Sequence, residues 1–253
     1  MSGIDLELRR KIRAEGKFKD DFTEKFGYWE WRIDNFAGFT VENSVLRLWM
    51  GPSEALYYSN AEISDGSFDD LPWSFKNLEV KARLEGKHYG SAGFGFWNHT
   101  MVIDRCVPIW FIYLRARGKY PLQGFFIQVA NVFIPIKLFE GSRLFRTVYY
   151  LSKISARLTG IKVLTPKPVM QDLDLSKWHT YRIEWDKEVK FYIDGELVGR
   201  IPFVWGNVKA RVDAWIDNAV YEVRKGDPGF VYRHATQENR YRTWLDIDYI
   251  SLW

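Results

Sequence analysis

The segment WHTYRIEWDKEVKFYIDGELV, residues 178–198, decides how this chain folds. Tyr181, Ile183 and Trp185 alternate with polar residues, and Phe191 and Ile193 repeat the pattern after Asp186, Lys187 and Glu188. A period of two with large apolar residues on one side marks a half-buried β-strand. The charged residues between the two runs fit a solvated reversal of the chain. Glu184, Asp186 and Glu188 also spell Glu-x-Asp-x-Glu, which on one continuous strand would aim three carboxylates at one face. The alternation predicts otherwise: Asp186 and Glu188 belong to the turn, and the apparent triad is a decoy.

The same period extends outward. Strand patterns fall at 44–50, 55–63, 77–86, 91–98, 108–116, 124–134, 189–195, 196–201, 210–217 and 243–253. About a dozen strands with short links and no alternating helices predict an all-β fold, an antiparallel β-sandwich. Neither an internal repeat nor a low-complexity linker is present, so residues 18–253 read as a single domain. Residues 1–17 read as an N-terminal helical extension, with a short helix over 4–14. One further exception is GSRLFRTVYYLSKISARLTGIK, 141–162, within an insertion spanning about 135–170. Leu144, Phe145, Val148, Leu151, Ile154 and Leu158 follow helical spacing between a Ser142 cap and a Gly160 stop. This amphipathic helix is expected to pack on the sandwich; its basic polar side also suits contact with a membrane surface, or a lid.

Composition narrows the function. The 253 residues include 12 Trp, 14 Tyr and 18 Phe, an aromatic surplus suited to strands and to flat ligand platforms. The balance of 36 basic against 32 acidic residues, with no recognition motif, argues against nucleic acid. One cysteine, Cys106, excludes an internal disulfide, and four scattered histidines give no zinc spacing. The first residues lack the apolar core of a secretory signal, and no apolar run is long enough for a transmembrane segment. These features lean towards a cytoplasmic protein.

Four stretches, in order, carry a family resemblance. KDDFTEKFGYWEW with FTVENSVLRL, LEVKARLEG with SAGFGFWN, the 178–198 segment, and WLDIDYISLW resemble the laminarinase-like glycoside hydrolases of family sixteen and their concanavalin A-like relatives. The resemblance covers most of 18–253 except about 133–175, and it implies a jelly-roll sandwich with a concave, ligand-bearing sheet. In that family the Glu-x-Asp-x-Glu set lies on the strand after Ala-Phe-Trp. The corresponding stretch here, PIWFIYLRARGKY, has no carboxylate. A retaining hydrolase needs two carboxyl groups about 5–5.5 Å apart, so the resemblance implies a fold from which the usual catalytic strand chemistry is missing.

Candidate ligand residues come from strand faces. In RVDAWIDNAV, Val212, Ala214 and Ile216 suit the core, leaving Asp213, Trp215 and Asp217 on the other face: an aromatic ring between two hydrogen-bond acceptors, as a sugar site requires. Trp97 matches the family tryptophan, Gln128 should face outward beside the 108–116 strand, and Trp205 lies in a turn-rich loop. The open face of 108–116 carries either Tyr113 and Arg115 or Trp110 and Ile112. Sandwiches of this type often hold a structural calcium near the chain ends, for which Asp21 and Asp248 are the matching positions; no other cofactor is required.

Three functions are compatible with these features. The first is a carbohydrate-binding protein on a hydrolase-like sandwich, with a glycan as partner. The second is an atypical glycosidase or lyase with relocated acids drawn from Asp213, Asp217, Glu184 and Asp104. The third binds or converts an apolar small molecule in an aromatic cleft.

Overall fold

In the computed structural model the described residues are 4–24, 27–99, 106–117, 122–136, 162–163, 173–223 and 230–253. Asp104 and the helix expected over 141–162 lie outside them, apart from Lys162. The chain opens with helix α1 (Leu6–Glu15) and strands β1 (Phe18–Asp20), β2 (Glu30–Asp34), β3 (Ala37–Glu42), β4 (Val45–Met50) and β5 (Asn60–Ser64). Strands β6 (Asn77–Glu85), β7 (Gly90–Trp97), β8 (Ile109–Arg115), β9 (Gly124–Val129), β10 (Val132–Ile136) and β11 (Lys162–Val163) follow. The last are β12 (His179–Trp185), β13 (Glu188–Ile193), β14 (Glu196–Pro202), β15 (Arg211–Asp217), β16 (Ala219–Val223), β17 (Phe230–His234) and β18 (Thr243–Leu252).

Among the described residues the strands form two eight-stranded sheets. The first runs β14-β13-β12-β6-β18-β4-β3, with β1 also on β18; the second runs β11-β10-β9-β8-β7-β15-β5-β2. All pairs are antiparallel except β10 with β11, and β16 and β17 make a separate hairpin. The 178–198 segment is the β12–β13–β14 edge of the first sheet. Asp194 and Gly195 both take positive φ, 50° and 82°, which is the two-residue hairpin turn that matches strand twist.

Alternation places the core between the sheets. Tyr181, Ile183 and Trp185 project inward from the first sheet, and Phe94, Phe96 and Phe111 from the second. Ring centroids meet across the layer at 5.0 Å for Phe94–Tyr181, 5.1 Å for Phe96–Trp185 and 5.2 Å for Phe111–Phe191. The spacing is that of tilted and edge-on aromatic pairs, which add about 0.5–1.5 kcal/mol beyond their area.

The N-terminal helix is tied to this core at both ends. Asp5 Oδ1 accepts from the amides of Glu7 and Leu8, and Gly16, in the left-handed region, closes the last turn on Ile12 O. Ile12 enters the core; buried Arg9 pairs with Glu30 at 3.0 Å, and Arg13 pairs with Asp70 at 2.6 Å.

Glu184 and Glu188 both lie on the outward side of the first sheet, on different strands, with the reversal at Asp186–Lys187 between them. Glu184 accepts from Tyr192 Oη at 3.1 Å and neighbours Arg182 at 3.3 Å. The Glu-x-Asp-x-Glu string is a hairpin end rather than one strand face, with one correction: Glu188, expected in the turn, is the first residue of β13 and pairs with Pro202.

Candidate functional site

The outer face of the second sheet collects the aromatic and polar residues that alternation excludes from the core. On β15, Val212, Ala214 and Ile216 enter the core, while Arg211, Asp213, Trp215 and Asp217 face the other way. On β7 the inward residues are Ala92, Phe94 and Phe96; the outward ones are Ser91, Gly93, Gly95 and Trp97. The two glycines make room for neighbouring indoles. A Cβ on Gly93 would stand 2.9 Å from the Trp215 ring, and one on Gly95 would stand 2.4 Å from Trp110 Cβ. The Trp215 indole thus lies close against the backbone of β7, and Gly95 leaves room for the Cβ from which the Trp110 ring springs.

The result is a continuous row of rings. Trp215 and Trp110 are 4.7 Å apart, Trp110 and Trp97 stack at 4.6 Å, Trp97 and His99 stack at 5.6 Å, and His99 meets Phe68 edge-on at 6.0 Å. Exposure changes along it. Trp110 and Trp215 are each 8% exposed, Trp97 and His99 are half-buried, and Phe68 is 40% exposed. Beyond Trp110, Ile112, Leu114, Phe126 and Phe133 continue an apolar cluster. Gln128 serves this cluster internally: its carbonyl oxygen accepts from Trp110 Nε1 at 2.6 Å.

A row of charge runs beside the rings. Arg9 pairs with Glu30, which lies 3.7 Å from Arg32; Arg32 holds Glu62 at 2.7 Å, and Arg211 Nε is 3.2 Å from Asp213 Oδ2. Arg32 and Arg211 both lie over the Phe68 ring, at 4.7 and 5.3 Å. Burial raises the Asp213 carboxyl above the usual carboxylate range and nearby Glu62 adds to the effect; Arg211 opposes them.

Asp217 is spent on structure. Its Oδ1 accepts from Ser91 N, Ser91 Oγ and Ala219 N, and its Oδ2 from Tyr58 Oη. Burial nevertheless pushes its carboxyl up to about 7. Trp215 donates its indole N–H to the same Ser91 hydroxyl at 2.8 Å.

Of the residues singled out in the sequence, Trp97, Gln128, Asp213, Trp215 and Asp217 therefore share one sheet face. Two expectations about the candidate ligand residues need correcting. Trp215 is not an open stacking surface, because it is buried and its polar handle is bonded. Tyr113 and Arg115 project to the other side of β8 from Trp110 and Ile112: Tyr113 packs on the inter-sheet core and donates to His88 O at 3.3 Å, and Arg115 stacks over Tyr89 at 4.6 Å. The reason is register, since the second of the two alternations left open for this strand is the one adopted. Trp205 stands apart from the ring row, against Phe203 at 5.5 Å.

The two calcium candidates are engaged by other groups. Asp21 is exposed and its Oδ1 accepts from Thr23 N at 3.3 Å, while Asp248 is held by Lys81 Nζ at 2.8 Å. An ammonium on the carboxylate competes directly with a cation, and no cluster of three His, Cys, Asp or Glu side chains suited to a metal occurs among the described residues. These residues do not fit the ion. Among the described residues, no helix is long and apolar enough to cross a membrane. Sequence reading missed Glu62, Arg32, Phe68 and Arg211; the one available signal was that Arg211 continues the outward parity of Asp213 and Trp215.

No protein-family model matches the chain, and no curated relative does. Solved structures do match. One is a prokaryotic beta-1,3-1,4-glucanase (lichenase) from a mouse hindgut metagenome, 12% identical with a TM-score of 0.53 over 93% of this chain and 98% of that one. Another is the kappa-carrageenase of Pseudoalteromonas carrageenovora in complex with an oligotetrasaccharide of kappa-carrageenan, 13% identical, TM-score 0.53, over 93% and 92%. A third is described as an immunostimulatory antigen and pseudo beta-1,3-glucanase of Mycobacterium tuberculosis, 12% identical, TM-score 0.55, over 93% and 97%. At these identities the likeness establishes architecture: the chain is a concanavalin A-like sandwich of the kind built by family-sixteen-type glucanases and carrageenases.

Proposed function

We propose that the chain binds a carbohydrate on the outer face of its second sheet, without the β8 carboxylates of a conventional glycoside hydrolase. The observation that carries this reading is the ring row, which runs from buried Trp215 to exposed Phe68 beside the Arg32–Glu62 pair. Apolar ring faces cover the carbon–hydrogen side of a pyranose, and the adjacent charged groups exchange hydrogen bonds with its hydroxyls. The reachable part is Phe68, His99 and Trp97; Trp110 and Trp215 hold it in place. Strand β8 presents Trp110, Ile112 and Leu114 to this face, none of which can transfer a proton or attack an anomeric carbon. Glycan action by proteins of the same architecture agrees with the reading.

A glycan array probed with the parent and with Trp97→Ala tests it. Binding in the parent, weakened at least tenfold by the substitution with the fold intact, is the expected outcome. No binding to any glycan would overturn it. So would a retained lipid-like mass in native mass spectrometry, or reducing-sugar release lost in Asp213→Asn, which would favour an apolar ligand or relocated acids respectively.

A further inference from the structure

Arg211 and Asp213 are 0% and 2% exposed, yet much of their hydrogen-bonding capacity is unspent. Arg211 Nη1 donates to His99 O at 2.9 Å. Its Nε faces Asp213 Oδ2 at 3.2 Å without hydrogen-bond alignment. Among the described residues its Nη2 has no hydrogen-bond partner and neither carboxyl oxygen of Asp213 accepts an aligned hydrogen bond, the Ser64 hydroxyl lying near enough only to favour the ionised form. Native interiors rarely leave such groups unsatisfied without a ligand, an ion or water to complete them.

The neighbours explain why the capacity stays open. Across one ladder, Asp213 faces Gly95, which has no side chain; across the other it faces Ser64, whose hydroxyl donates to Gly66 O at 2.8 Å. Arg211 faces Trp97, whose ring belongs to the aromatic row. Phe68, on an exposed turn, lies over Arg211 and is the side chain that would move to admit a group.

We propose that Arg211 and Asp213 form a clamp for two adjacent hydroxyls of an uncharged pyranoside, one accepting from Arg211 Nη2 and the other donating to Asp213. The inference rests on the carbohydrate reading and deepens it by naming the sugar class. A carboxyl beside a guanidinium offers acceptor and donor side by side, which matches a vicinal diol, whose hydroxyls do both. Charge favours a neutral ring over a sulfated or uronic one: Arg9, Arg32 and Arg211 are matched along this row by Glu30, Glu62 and Asp213. An anionic substituent at Asp213 would meet a carboxyl group with no spare cation.

The test is calorimetric titration with oligosaccharides of lichenan, which are neutral, and of kappa-carrageenan, which are sulfated. The proteins are the parent, Trp97→Ala, Asp213→Asn and the double variant Arg211→Met/Asp213→Leu. Replacing a buried ion pair by apolar residues of similar volume is often neutral for folding, so the double variant separates structure from recognition. The expected result is that the parent binds the neutral series and the double variant melts within a few degrees of it but binds at least tenfold more weakly. Should the double variant not fold, Asp213→Asn, which keeps the shape and loses the charged acceptor, is expected to show the same loss. If Trp97→Ala weakens binding while both clamp variants bind like the parent, the clamp is overturned and the carbohydrate reading survives. Binding of the sulfated series alone overturns the sugar class. No binding by the parent removes both.

Discussion

Trp215 and Asp217, two residues apart on the outer face of β15, converge on one hydroxyl: the indole donates to Ser91 Oγ at 2.8 Å, and Ser91 Oγ donates to Asp217 Oδ1 at 2.7 Å. That hydroxyl fixes an aromatic ring of the candidate site to a buried acid. Ser91→Ala would leave an indole N–H without its acceptor and remove a charge-assisted bond. The expected cost is about 1–3 kcal/mol, read by denaturant unfolding, against near-neutrality for Ser176→Ala on the exposed turn before β12.

Asp217 should also shape the pH dependence of stability. Its folded-state carboxyl is raised to about 7, so between about pH 4 and pH 7 the folded chain holds this proton more tightly than the unfolded chain does. Its contribution is therefore greatest at the acidic end and declines as pH rises towards 7, by a few kcal/mol at most. Asp217→Asn should flatten that share of the decline in a series of melting temperatures from pH 4 to pH 8. An unchanged slope would refute the assignment.

His88 contributes with the opposite sign. It is fully buried and its pKa is pushed down to about 4 by desolvation, so its stabilising neutral form is lost as pH falls from about 6.5 towards 4. Ser91 O can only accept, so Nε2 at 3.0 Å carries the proton, and Nδ1 accepts from Thr243 Oγ1 at 3.0 Å. Thr243→Val leaves Nδ1 without a donor and should cost about 1–3 kcal/mol. Nitrogen chemical shifts of the imidazole would report the tautomer directly.

Glu184→Gln and Glu188→Gln should leave glycan binding within a few-fold of the parent, because both residues sit on the outer side of the first sheet. A loss near a thousand-fold for Glu188→Gln would move the site to the other sheet.

Residues 124–134, expected as one run, fold as the β9–β10 hairpin, and 55–63 is strand only from Asn60. The reading of strands held best where one face is apolar and the other is not. The β12–β13 hairpin has this contrast, and so does β15, whose Val212, Ala214 and Ile216 were separable from Asp213, Trp215 and Asp217 by parity alone. Strand β8 has no such contrast: Ile109, Phe111, Trp110, Ile112 and Leu114 are all buried, so the period of two carries no information about which side faces the core. The polar row was invisible for another reason. Glu62 and Arg211 lie on neighbouring strands only because β5 pairs with β15, about 150 residues away in sequence, and no local pattern encodes that pairing. Short β2 and the β16–β17 hairpin also gave no run long enough to recognise.

Every residue of β15 is buried, on both sides of its sheet. A strand of this kind has no free positions in an evolutionary sense. Its inward residues answer to the core and its outward ones to the ring and charge rows, so a substitution on either side perturbs folding. Divergence in ligand preference among descendants of this chain should accordingly concentrate on the turn that bears Phe68, where side chains reach the same face from solvent, while β15 drifts slowly.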